Sequence, residues 1–378
     1  MSSSKPARVS AVEAIRGISM MGVIGIHIGA EYLANPSPNL HLVALFDIGT
    51  RFSVPIFFFI SAFGLLYGQS LSAPFSYRDF LVRRGRAVMI PYLIWSLLYL
   101  IHDAYVYGVG FPPLRALPSI LFFGNAKYQL YFMVILIWFY LLMPLWRLLL
   151  RRMTLPLLAG ILLLQIGFDY WSSFSTAFNL YVYGLPDGTV LRALLFYRLN
   201  YWVMHYVFIF LLGGYIALHF DTFRAWMLRH TTQLYACGIM SLAALLAWYY
   251  KLILADGYTP LEAIYTAHQL SPLGILYTIG ASLALFAFFT HLKAESLLGH
   301  IFQLLGKHSY FIYLAHPLAI TYLLMLVHAG GYVLTAPVAL AMYAATLLLT
   351  LISAVMVRSI GTRVPLVNEL TIGLRQRK

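Results

Sequence analysis

An all-α membrane protein of about ten transmembrane helices, with both termini in the cytoplasm, is what this sequence predicts. Three observations carry the expectation. The chain of 378 residues is 61% hydrophobic and only 10% charged, with a mean hydropathy of +0.81, whereas a soluble domain needs about 25% charged residues to keep its surface wetted. Apolar segments of span length recur from one end to the other. The basic residues fall mainly on one side of those segments.

A helix rises 1.5 Å per residue, so about 20 apolar residues cross a hydrocarbon core of roughly 30 Å. Such segments cover residues 11–33, 51–70, 87–108, 128–149, 154–172, 199–220, 233–255, 271–292, 308–328 and 337–357. The fifth fades after Trp171 into a stretch rich in Ser, Asn and Gly. With the N-terminus placed in the cytoplasm, 19 of the 25 lysines and arginines lie on the inner side and seven of the 12 acids on the outer, as the positive-inside rule asks. An even number of spans then returns the basic tail to the cytoplasm. The layout is a short N-terminus at 1–10, a transmembrane domain at 11–357 and a tail at 358–378.

No connection between spans is long enough to build an independent core. The net charge of +13 follows from topology and calls for no nucleic acid. The single cysteine, Cys237, excludes an intramolecular disulfide and argues against a thiolate metal site; no metal is expected. Glu13 and Arg16 lie where a cleaved leader would be apolar, and no small-residue cleavage site follows.

Ionisable groups inside spans are costly, which makes each a functional candidate. Arg16 and His27 are 11 residues apart, three turns plus roughly 20°, hence on one helix face and about 16 Å apart along the axis. Glu31 lies one turn beyond His27 on that face, where a carboxylate can orient an imidazole. The competing readings are a hydrogen-bonded structural histidine, a snorkelling arginine and an interfacial acid. A second group is Arg83, Arg84 and Arg86, in the connection before the third span. Arginine forks suit phosphate, although topology alone also accounts for basic loops. A third is the run from Leu305 to Pro317. There His316 falls inside the ninth span, and Pro317 lacks a backbone donor and exposes a carbonyl. His308 reads as an interfacial, solvated histidine, and His205 as a further buried one.

In this order, Arg16-Gly-Ile with His27, Val54-Pro-Ile-Phe-Phe-Phe-Ile-Ser-Ala-Phe63, the Arg83–Pro91 stretch and Leu305–Pro317 resemble the successive motifs of the acyltransferase-3 family of membrane O-acyltransferases. Weaker echoes stand at Tyr128-Gln-Leu-Tyr-Phe132, which includes Tyr131, and at Phe210-Leu-Leu-Gly213. Ser53-Val-Pro-Ile replaces the family's usual acid-containing stretch, and Ala62 replaces a glycine. Both departures resemble a branch containing the enterobacterial common antigen acetyltransferase and the poly-N-acetylglucosamine adhesin membrane acyltransferase.

The resemblance implies a multi-pass protein of the bacterial inner (cytoplasmic) membrane. It implies transfer of an acyl group, acetyl in most members and succinyl in some, from cytoplasmic acyl-CoA to a sugar of an envelope or extracellular polysaccharide. No permanently bound cofactor is implied; acetyl-CoA or another acyl-CoA such as succinyl-CoA is a co-substrate. The partners are membrane lipid, a polysaccharide or lipid-linked glycan acceptor, and other polysaccharide synthesis or export proteins. His27 matches the family's essential histidine, as general base or covalent carrier, and Arg16 its arginine partner. Arg83, Arg84 and Arg86 match the basic motif for coenzyme A phosphates. Ser61, Tyr131, Glu31 and His316 take supporting places. Two other functions compete: a polysaccharide exporter or flippase, and a proton-coupled transporter using His27, Glu31 and His316 as a relay.

Overall fold

A computed structural model describes residues 9–374. The expected N-terminal segment through Arg8 and the last basic residues of the tail, Arg375, Arg377 and Lys378, lie outside the described residues. All the regular elements described are helical. Eight helices are long and apolar enough to cross a membrane, and two further helix pairs, bent by 61° and 97°, bring the number to ten if each pair is one span. These ten coincide with the ten predicted segments, with differences at the ends.

The chain divides into two compact units. The first holds Thr154–Tyr170, Tyr206–Ile352 and the chain up to Ser70. Its elements are α1 (Ser10–Tyr32), α2 (Ser53–Leu66), α7 (Leu155–Asp169), α8 (Val207–Leu218), α9 (Phe220–Arg229), α10 (Thr231–Leu254), α11 (Pro272–His291) and α12 (Leu297–Ala329). The second holds Leu71–Met153, Trp171–His205 and Ser353–Lys378. It is built on α3 (Tyr77–Arg84), α4 (Ile90–Val106), α5 (Tyr131–Leu141), α6 (Met143–Arg151) and the short C-terminal α14 (Pro365–Ile372). The remaining long helix, α13 (Ala336–Arg363), begins in the first unit and ends in the second.

Small residues set the packing of the first unit, as in membranes generally, where close backbone approach replaces the hydrophobic drive between helices. A Cβ on Gly306 of α12 would overlap the Glu13 carbonyl of α1, and one on Gly17 would overlap the Phe302 carbonyl. Along α1, Gly22 meets Ser53 at the start of α2, and Gly25 and Gly29 meet Phe46. Gly213 of α8 lies on the Phe59 carbonyl of α2.

These contacts also give directions. Residues 13–17 of α1 meet 302–306 of α12 and His27 meets His316, so the two helices run parallel, as a first and a ninth span must. Phe58 pairs with Tyr206 and Phe63 with Phe220, so α2 and α8 are parallel too. Parallel direction requires an odd number of crossings between them. Tyr77–Val106, Leu155–Phe174 and the bent pair Tyr131–Arg151 supply three, which supports ten spans.

The second span starts earlier than predicted, at Leu40 instead of residue 51. Asp47 and Arg51 interrupt the apolar pattern there, yet they form a buried ion pair, 2% and 6% exposed. Arg51 also donates to Gln269 Oε1 at 3.1 Å and to the Ile264 carbonyl at 3.0 Å. Mutual neutralisation lets the π-helical turn Ala44–Ile48 continue through the pair. A correction concerns His308: it is buried within α12, not solvated at an interface. The helix begins at Leu297, eleven residues before the predicted start, because Ser296 caps it by accepting from the Gly299 N–H at 3.1 Å.

Candidate active site

The first unit brings His27 and His316 face to face. Their rings stack with centroids 5.1 Å apart and planes inclined by 25°. His27 stands on α1 among the buried Val23, Ile24 and Ile28, yet keeps part of its own surface accessible. His316 has no accessible surface.

The local sequence explains how His316 is held. In a regular helix the N–H of residue 317 would donate to the carbonyl of Tyr313; Pro317 has none, so that carbonyl is left over. The His316 Nδ1 fills the gap, 2.7 Å from the Tyr313 oxygen and 3.2 Å from that of Ile312. A carbonyl only accepts, so Nδ1 carries the proton and Nε2 is the basic nitrogen. That Nε2 is buried with no hydrogen-bond partner among the described residues. An imidazole with a fixed tautomer beside a second imidazole is an arrangement able to accept and pass a proton.

Arg16 lies three turns below His27 on α1. Its Nη1 is 3.1 Å from Glu13 Oε1, a half-exposed pair one turn apart. The other arm of the fork reaches α2 at Gly64, where Nη2 would stand 3.7 Å from a Cβ. Ser61, half-buried, precedes Gly64 by three residues and therefore shares its helix face. Arg16 and Ser61 are thus brought to the same α1–α2 interface. Glu31 occupies the last turn of α1 and is half-buried.

Arg83, Arg84, Arg86 and Tyr131 belong to the second unit. The three arginines straddle the end of α3 and the π-helical turn Gly85–Met89, a local geometry recurrent at functional sites. They divide into two kinds. Arg84 sits between two rings, its guanidinium carbon 5.8 Å from the centroids of both Phe80 and Tyr140. Arg83 and Arg86 are exposed and make no ion pair among the described residues. Tyr131 opens α5 and is half-buried.

The surroundings of the turn are tied down. Arg151 donates twice to the Leu71 carbonyl, at 3.1 and 2.5 Å, and Arg147 once at 3.3 Å. Arg147 also lies 4.4 Å over the Phe75 ring, and the Tyr77 hydroxyl donates to the Leu141 carbonyl at 2.6 Å.

Some of this was invisible in the sequence. Glu13 as the partner of Arg16 had a signal, the three-residue spacing on a helix. The ring sandwich of Arg84 had none, because Tyr140 is distant in the chain. His205 is fully buried, as expected, in the second unit. Among the described residues no group of three or more His, Cys, Asp and Glu is placed to hold a metal ion.

Compared with known families, the chain matches the acyltransferase-3 family model, described as an acyltransferase domain, over residues 9–355. Curated proteins and solved structures give no match.

Proposed function

The chain belongs to the acyltransferase-3 family, and from that premise we propose that this multi-pass membrane acyltransferase moves an acyl group, acetyl foremost, from cytoplasmic acyl-CoA to a hydroxyl of an envelope or extracellular polysaccharide, or of its lipid-linked precursor. The observation that carries the proposal is the stacked His27–His316 pair, whose His27 stands on the helix that also bears Arg16.

Donor phosphates lie on Arg83 and Arg86, whose forks are exposed and suited to phosphate oxygens. With the N-terminus inside, the basic turn faces the cytoplasm, where acyl-CoA is found. In the first unit, His27, on the helix that bears Arg16, meets the thioester. His27 removes the proton of the acceptor hydroxyl while its oxygen attacks the thioester carbonyl. The new C–O bond forms, the C–S bond breaks, and the departing thiolate takes up the proton to leave as free coenzyme A. His316, with its tautomer fixed by the Tyr313 carbonyl, supports the imidazolium that His27 becomes. Ser61 and Glu31 have supporting roles in the first unit and Tyr131 in the second. The membrane is the bacterial inner membrane, and the branch is that of the common-antigen and poly-N-acetylglucosamine relatives.

The test compares the exported glycan of wild-type and His27→Ala cells by NMR, together with thiol release from acetyl-CoA by the purified proteins. Loss of ester signals and of thiol release is expected. Full esterification of the glycan in His27→Ala cells would overturn the proposal.

A further inference from the structure

The C-terminal helix α14 lies against the turn that carries the arginines. Gly373, just past its end, has φ +65° and rests on Ala87, so that a Cβ there would overlap the Ala87 backbone carbonyl. Such a conformation and such a contact both require glycine. One turn back, the indole Nε1 of Trp95 on α4 donates to the Thr371 carbonyl at 3.0 Å. Midway along α14, Asn368 is buried, and its Nδ2 donates to the Arg358 carbonyl of α13 at 3.3 Å. The helix is thereby pinned at its middle and its C-terminal end, and Ala87 is the residue immediately after Arg86.

The same turn is also held by Arg84, between the rings of Phe80 and Tyr140. A π-helical turn has weaker backbone geometry than an α-helix and persists where its surroundings hold it. Here those surroundings include α5 and α14.

Resting on the proposal that Arg83 and Arg86 bind donor phosphates, we propose that α14 is a strap that positions this pair, and that Trp95, Gly373 and Arg84 are positioning residues for donor recognition. The free forks of Arg83 and Arg86 then meet the phosphates without first being ordered, which is how preorganisation raises affinity. The strap acts only on the part of the donor that carries phosphate.

This selectivity supplies the test. Purified full-length protein is assayed with acetyl-CoA and with a phosphate-free acetyl thioester of N-acetylcysteamine, and the ratio of their kcat/KM values is compared among variants. In the wild type the ratio favours acetyl-CoA. In Gly373→Val it is expected to fall roughly tenfold or more, through KM for acetyl-CoA, while turnover of the phosphate-free donor reports that the protein is folded. Trp95→Phe keeps an aromatic ring and removes the bond to Thr371; a smaller fall, about threefold, is expected there, the scale of one weakened hydrogen bond. A Trp95→Phe ratio equal to wild type, with a Gly373→Val ratio also unchanged, overturns the strap. Failure of the underlying proposal looks different: the wild type itself would show no preference for acetyl-CoA, and Arg83→Ala with Arg86→Ala would change nothing. A lost preference in that double variant, with the strap variants unaffected, retains phosphate binding and removes the strap.

Discussion

The rings of His27 and His316 stack 5.1 Å apart, although 289 positions separate them in the chain. They meet because α1 and α12 run parallel in close backbone contact at Gly17 and Gly306, about 15 Å earlier along both helices. The same number of turns then carries each helix to its histidine. A base removed from this pair should cost most of the rate: His27→Ala is expected to lower transfer by about 10²–10⁴-fold, measured as thiol release from acetyl-CoA. His316→Ala should lose less, since its ring supports the base without replacing it.

Pro317 offers a gentler probe. Pro317→Ala restores a backbone N–H able to donate to the Tyr313 carbonyl, in competition with His316 Nδ1. The helix should be as stable as before or more so. Turnover should fall by about tenfold, the scale of one hydrogen bond's free energy, with KM for the donor unchanged. Equal kcat in the two proteins would show that the pinned tautomer is irrelevant.

The glycine contact between α1 and α12 is expected to tolerate no side chain. In Gly306→Val the branched group would meet the Glu13 carbonyl and push the helices apart, at about 1–3 kcal/mol for overpacking. Thermal unfolding in detergent should show the loss, and activity should drop with it because the histidines no longer meet.

Asp47 and Arg51 pair inside the second span. Asp47→Ala leaves a buried guanidinium without its counter-charge, a loss of about 3–5 kcal/mol. Replacing both residues, Asp47→Leu with Arg51→Met, should recover most of the lost thermal stability. If the single and double variants unfold at the same temperature, the ion pair has no such role.

Arginines 83, 84 and 86 should separate by phenotype. Arg83→Ala and Arg86→Ala are expected to raise KM for acetyl-CoA several-fold each, and more at low ionic strength, where charge attraction is least screened. Arg84→Ala also removes two ring contacts, worth roughly 0.5–1 kcal/mol each at half-exposed sites. It alone of the three should lower the unfolding temperature measurably.

Much of the architecture was legible from residue type. Span length, hydropathy and the placement of basic residues gave ten segments, all matched by helices or bent helix pairs. Arg16 and His27 stood out because charge in an apolar helix is conspicuous, and His316 because a proline follows it. Features that depend on pairing, on caps or on partners far along the chain were not legible. Asp47 and Arg51 looked like a boundary because hydropathy counts each charge alone and sees no pairing. His308 looked interfacial because the start of α12 depends on a serine cap upstream of the apolar run. Arg84 looked equal to its neighbours because the ring of Tyr140 arrives through tertiary folding.

Gly373 against Ala87 has a practical side for anyone preparing the protein. A purification handle or fluorescent protein inserted directly after Gly373 would start beside the arginine turn. Such an insertion would crowd the turn proposed to recognise the donor and understate its affinity.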